Sequence, residues 1–362
     1  MLNSLRVAAR FLGRTIGWNR LGLLLSIAII VIAGIVLYRM LRGLDFNEVM
    51  LALATTDPMD FGLAALFVAA GYFTLTFYDL FALRTIGRYD VPYRVAALAG
   101  FTSYSIGHNI GASVFTGGAV RYRIYSAWGL DAVEVAKVCF IAGLTFWLGN
   151  ATVLGLGIAW TPEAASAIDQ LPPWLNRIIA FVILGVLASY VAWVWQTQRV
   201  VGRSNWRVTL PSGRLTLIQI AIGIVDLCFC ALAMYMLMPD DPHIGFVMLA
   251  VIFVSATLLG FASHSPGGLG VFDAAMLVAL WQYDREDLVA GLLLFRLLYY
   301  FVPFALALLV LGIRELILSL RGEHREPILG TTGAPLPGPV GVVAPEPSAP
   351  PPDGAAKKVD VG

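Results

Sequence analysis

Apolar runs of about 20 residues recur along the whole chain, and no other feature constrains its fold as tightly. They fall near 21–41, 61–83, 95–115, 138–160, 174–196, 214–238, 244–262, 268–282 and 286–313. At 1.5 Å per residue, about 20 residues in a helix cross the hydrocarbon core of a bilayer. Lipid offers no partner for backbone N–H and C=O groups, so such runs must satisfy them internally as helices. Only 13% of residues are charged and 59% are hydrophobic. A soluble domain carries about 25% charged residues. The chain therefore reads as a polytopic membrane protein.

Charge between the runs gives their direction, because cytoplasmic loops are rich in Lys and Arg. Arg6, Arg10, Arg14 and Arg20 precede the first run, and Arg39 and Arg42 close it. That run is too long for a signal peptide's apolar core and reads as a retained span with a cytoplasmic N-terminus. Arg84, Arg88 and Arg94 place 84–94 in the cytoplasm, and Arg121, Arg123 and Lys137 do the same for 119–137. Glu163 and Asp169 suit the periplasm. Arg199, Arg203, Arg207 and Arg214 return the chain to the cytoplasm, and Asp240 and Asp241 take it out again. Arg314, Arg321 and Arg325 put the C-terminus inside.

Parity then forces two exceptions. The segment between 94 and 119 starts and ends in the cytoplasm, so it must turn back, and its middle reads SYSIGHNIGASVFTGGAVRYR. The segment 244–282 starts and ends outside, with FASHSPGGLGVFDAA at its centre. The fold class is thus an all-α membrane helix bundle of about 6–8 spans, with two re-entrant or broken helical elements opening from opposite faces. Ordinary helical hairpins with glycine packing faces, such as Gly107-x-x-x-Gly111, are the alternative. Three segments follow: a basic cytoplasmic N-terminal segment (1–20), a transmembrane domain (21–320) and a disordered Pro-rich cytoplasmic tail (321–362). The tail centres on APEPSAPPP, which cannot bury a core.

Charged residues at membrane depth are costly and point to function or pairing. Asp79, Asp226, Asp273 and Arg296 qualify. The structural readings are interfacial pairing of Asp79 with Arg84, an Asp226–Arg296 ion pair fixing helix packing, and helix-dipole stabilisation of Asp273. The functional reading places all four around a polar site. Gly117 and Gly118 beside Arg121 and Arg123 read either as a helix-end anchor or as a phosphate-binding corner with glycine-freed N–H groups. His108 and Asn109 lie in the first broken element, and His264, Pro266, Gly267 and Gly268 in the second. No third or fourth ligand stands at helical spacing, so these histidines are not read as metal ligands. Asn150 reads as interhelical glue. Cys228-x-Cys230 reads as small-hydrophobe filler, and no nucleotide or zinc-protease motif occurs. No cofactor and no nucleic-acid partner is expected.

GHNIGASVFTGGAVRYRIYSAWGL, SPGGLGVFDAAM and FRLLYYFVP together resemble the membrane domain of the lysylphosphatidylglycerol synthase/flippase family. The likeness covers about residues 10–320. It implies a multi-pass protein of the bacterial inner membrane that handles phospholipid, aminoacylated phosphatidylglycerol included, and moves it between leaflets. It also implies translocation roles for Asp79 and Arg296. Asp273 stands where many relatives carry Glu, which keeps the charge and shortens its reach. Full-length relatives continue into a soluble aminoacyl-transferase domain. A Pro-rich tail stands there instead, so synthase activity is not expected. Two further classes remain open: a non-catalytic partner subunit that presents lipid to a separately encoded enzyme, and a membrane-embedded transferase using Asp79 or Asp273 as base. A homodimer or a separate lipid-modifying enzyme is the protein partner such readings allow.

Overall fold

A computed structural model describes residues 35, 46–110, 113–197, 199–203, 206–263 and 265–321. The basic segment 1–20, all of the first apolar run except Ile35, His264 and the tail beyond Arg321 lie outside the described residues. Within them the chain is helical but for one hairpin. Helix α1 covers Phe46–Thr55, α2 Pro58–Thr85, α3 Tyr93–Ile110, α4 Ser113–Tyr125 and α5 Ala132–Trp160. A short α6 (Pro162–Asp169) precedes α7 (Pro173–Gln196). Strands β1 (Val200–Arg203) and β2 (Trp206–Thr209) pair antiparallel, with Val200 opposite Thr209. Then come α8 (Gly213–Met236), α9 (Phe246–Ala262), α10 (Val271–Ala279), α11 (Arg285–Arg296) and α12 (Val302–Arg321).

Helix starts follow local chemistry. The Asp57 carboxylate accepts the Met59 N–H at 2.7 Å, with Pro58 in the first turn. Asp131 and Glu134 form a reciprocal capping box at the start of α5. Among the described residues, five helical stretches are long and apolar enough to cross a membrane: α2, α5, α7, α8 and residues 285–317. The last of these is not one regular helix. Leu297–Phe301 forms a π turn between α11 and α12, a local widening that frequently marks functional sites. The expected loop at 161–173 holds α6, and the basic loop at 199–214 holds the β-hairpin. Both elements are too short to show a hydrophobic period.

The bundle centre is α2, α5 and α8. Helices α5 and α8 touch backbone to backbone: a Cβ on Gly149 would lie 2.7 Å from Gly223 Cα. Beside that contact Gln219 Nε2 donates to Thr145 Oγ1 at 2.8 Å. These residues supply the interhelical glue expected of Asn150. Asn150 instead donates to the Phe146 carbonyl of its own helix at 2.8 Å, an i–4 contact, and its buried Oδ1 meets no partner among the described residues.

Helices α3 and α4 are 18 and 13 residues long and pack closely on one another. Their outer ends are tied together. Arg88, just before α3, donates to the Trp128 carbonyl at 2.6 Å and pairs with Glu134 at 3.3 Å, just after α4. The chain thus leaves and re-enters the bundle at one end, as charge parity predicts. The second broken element behaves alike: Tyr283, after α10, lies against the Ile244 backbone and near Asp241, just before α9. Between α9 and α10 the sequence PGGLG makes a tight turn in which Gly267, Gly268 and Gly270 have φ of 61°, 63° and 81°. Side chains with a Cβ rarely adopt that left-handed region, which explains three glycines in four positions.

Candidate functional site

The inner ends of the two broken elements meet. The Pro266–Gly268 turn packs on α3, and both border one cavity of about 180 Å³. Tyr104, Gly107 and His108 of α3 line one side, and Gly260, Gly267 and Gly268 the other. Asp226 of α8 and Tyr299 and Tyr300 of the π turn form its inner wall. The rim is aromatic and open: Phe115 is 81% exposed and Phe261 41%. A second lobe of about 140 Å³ shares Tyr104, His108, Phe146 and Phe261 with the first and ends on Arg121 and Cys139.

Asp79 lies behind that lobe and is fully buried. It is not an interfacial partner of Arg84, whose guanidinium bonds the Tyr89 carbonyl and stacks on its ring. Arg121 holds Asp79 bidentately, Nη2 to Oδ1 at 2.7 Å and Nε to Oδ2 at 2.9 Å. The Tyr125 hydroxyl donates to Oδ2 at 2.7 Å. Arg121 and Tyr125 are four residues apart on α4, so one helix face presents both donors. Arg121 also lies over the Tyr104 ring, 4.9 Å from its centroid.

The second pair, a buried Arg296 with a partly exposed Asp273, sits at the other broken element. Arg296 Nε donates to Asp273 Oδ1 at 2.8 Å and Nη2 to Oδ2 at 2.5 Å, while Nη1 donates to the Gly267 carbonyl at 3.2 Å. Asp273 Oδ2 also accepts the Gly270 N–H at 3.0 Å, which closes the first turn of α10. One arginine thus holds the glycine turn and the helix that follows it. The expected Asp226–Arg296 pair does not form, because Arg296 is taken by Asp273. Asp226 is 4% exposed and accepts from the Tyr78 hydroxyl at 3.0 Å. Tyr78 and Asp79 are neighbours in sequence, so α2 serves both buried carboxyl groups with consecutive residues.

The remaining candidates divide. His108 borders both lobes and meets Tyr104 edge-on. Asn109 is fully buried and donates to the Ser105 and Tyr300 carbonyls, tying α3 to the π turn. Arg123 pairs with Glu315 of α12 at 2.7 Å, away from the cavity lining. Gly117 and Gly118 do not form a phosphate corner. Both lie inside α4, where the backbone ladder uses the N–H groups. Their role is close packing: a Cβ on Gly117 would lie 3.2 Å from the Ser103 carbonyl oxygen, and one on Gly118 3.7 Å from Cys139 Sγ. Tyr104, Tyr299 and Tyr300 line the cavity, while Tyr78 and Tyr125 donate to the Asp226 and Asp79 carboxyl groups; sequence marked Tyr125 as an interfacial residue and did not single out Tyr78 or Tyr104. The R-Y-R-I-Y and L-L-Y-Y-F spacings were the available signal.

The family model described as "Lysylphosphatidylglycerol synthase TM region" matches residues 23–307. The chain belongs to that family. Among curated relatives, the uncharacterized protein slr0712 of Synechocystis sp. is 31% identical over 70% of this chain and 79% of its own length. The inner membrane protein YbhN of Escherichia coli is 28% identical over 79% of this chain and 88% of its own. The phosphatidylglycerol lysyltransferase of Staphylococcus aureus is 25% identical over 78% of this chain, and the match covers 33% of the staphylococcal protein. This family member is accordingly a multi-pass membrane protein, and the family region takes in both broken elements and both arginine–aspartate pairs.

Proposed function

We propose that the protein binds phospholipid in the cavity between its two broken elements and translocates it between leaflets of the bacterial inner membrane. One observation carries the reading: two elements that enter from opposite ends of the bundle wall a single cavity, beside two arginine–carboxylate pairs, one of them fully buried, and within an open aromatic rim. Paired broken helices around a midplane site are the hallmark of transporters. Arg121 and Arg296 would meet a headgroup phosphate as their carboxylate partners yield, and Asp226 would face the headgroup from the inner wall. The acyl chains would stay among the helices. On the outer side of α2, α3 and α12 an apolar groove of about 490 Å³ offers them a path past Phe73, Phe101 and Leu306. Nothing covalent happens in this scheme, and both termini face the cytoplasm.

The test is reconstitution with fluorescent phospholipid and a quencher confined to the outer leaflet. Wild type should equilibrate the lipid between leaflets several-fold faster than Arg296→Ala or Asp79→Asn. Rates equal to protein-free vesicles for all three would sink the reading. A second reading makes the protein a non-catalytic subunit that presents lipid to a separately encoded synthase or transferase. It draws support from the match to a third of the staphylococcal lysyltransferase. Co-purification with a lipid-modifying enzyme, together with absent translocation by the isolated protein, would favour it.

A further inference from the structure

Asp79 and Asp273 each have an arginine, whereas Asp226 has none: among the described residues no Lys, Arg or His nitrogen pairs with it. Its surroundings are nevertheless cavity-facing, 4% exposed and central in α8. A buried, unpaired carboxylate at membrane depth is among the costliest groups a protein can hold. We propose that Asp226 is a proton-exchange site, carrying its proton among the buried groups around it and exchanging it with water that enters the cavity. The inference rests on the transport reading only for its consequence, that lipid movement is coupled to the proton gradient.

The groups facing Asp226 fit that role. Tyr78 of α2 donates to it at 3.0 Å, and the Cys230 thiol, one turn on, lies 4.0 Å away and 3.5 Å from the Tyr299 hydroxyl of the π turn. Tyr104 and His108 of α3 share its cavity. The residues that α5, α9 and α10 contribute to the lining, Phe146, Phe253, Phe261 and Phe272 among them, carry no titratable group. The two cations in reach of the region, Arg121 and Arg296, are each occupied by a carboxylate of their own. The step is a simple transfer. The carboxyl O–H gives its proton to water admitted from one face and regains one from water admitted from the other, and nothing is oxidised or reduced. A sodium site would want five or six oxygen ligands, and a lone carboxyl with one phenol does not supply them.

Two measurements test this on the full chain. Infrared spectra of the reconstituted protein at neutral pH should show a protonated-carboxyl carbonyl band that Asp226→Asn removes. In the same vesicles, with the potential clamped, a gradient of one pH unit should enrich labelled lipid in one leaflet by up to about tenfold if one proton moves per lipid. Asp226→Asn should lose that asymmetry, and Asp226→Glu should restore it with a displaced pH profile. A band absent from wild type or unchanged in Asp226→Asn overturns the proposal. So does translocation that proceeds indifferent to pH, or one driven by a sodium gradient instead. If no lipid moves in any vesicle while the band behaves as expected, the proton site stands and the transport reading falls.

Discussion

Asp79 shows what a buried charge demands of its neighbours. Three donated hydrogen bonds from Arg121 and one from Tyr125 replace the water it lost. Removing one partner of such a pair leaves the other buried and uncompensated, at a cost of roughly 3–5 kcal/mol. Asp79→Ala and Arg121→Ala should therefore each lower the apparent Tm in detergent far more than the double change Asp79→Leu with Arg121→Met, which removes both charges at similar volume. Tyr125→Phe loses one charge-assisted bond and should fall between wild type and the single mutants, by about 1.5–3 kcal/mol. If the double change were as damaging as the sum of the singles, the pair would not be the stabilising unit. The charged residues themselves were legible, since any Asp or Arg stands out in an apolar run. Their partners were not. Residues 42 and 23 positions apart can meet only through helix depth and rotation, which charge counting does not reveal. The same blindness produced the Asp226–Arg296 pairing that the structure replaces.

Two glycine devices govern the elements. At Gly149 and Gly223 the helices approach so closely that a side chain would enter the opposing backbone, which cannot move aside as a flexible side chain would. Gly223→Val should be strongly destabilising, about 1–3 kcal/mol or more. Gly185→Ala on α7, where nothing lies within 4 Å, should be neutral or stabilising by up to about 1 kcal/mol. Thermal unfolding of both variants side by side checks the contrast, and equal behaviour would mean the α5–α8 contact is loose. At Gly267 the cause is the backbone angle. With φ of 61°, Gly267→Ala should cost about 1–2 kcal/mol and slacken the loop that Arg296 grips. The breaks at GHNIGAS and SPGGLG were readable because glycine and proline interrupt an apolar run. The π turn was not, because LLYYF continues the apolar composition of its helix and carries no glycine or proline to mark the change. The short α6 and the β-hairpin escaped for want of length.

At the scale of the molecule, charge asymmetry between loops and contact between loop ends are independent lines that agree. Charge counting on Arg84, Arg88, Arg121 and Arg123 predicts that 84–94 and 119–137 share a side, and although Arg121 and Arg123 lie in α4, Arg88 bridges the two segments directly. A hairpin closed in this way cannot cross the bilayer once, so accessibility must be symmetric about it. In a background lacking Cys139, Cys228 and Cys230, single cysteines at Tyr89 and Trp128, both exposed, should react with an impermeant maleimide only from the cytoplasmic face. Cysteines at Asp240 and Trp281, also exposed, should react only from the other face. Reaction of positions 89 and 128 from opposite faces would make α3–α4 a full crossing. The first broken element would then be an ordinary crossing, and the cavity would no longer lie between two tips that arrive from opposite sides. The labelling pattern therefore decides more than topology: alternating access through this cavity requires the two tips to arrive from opposite sides.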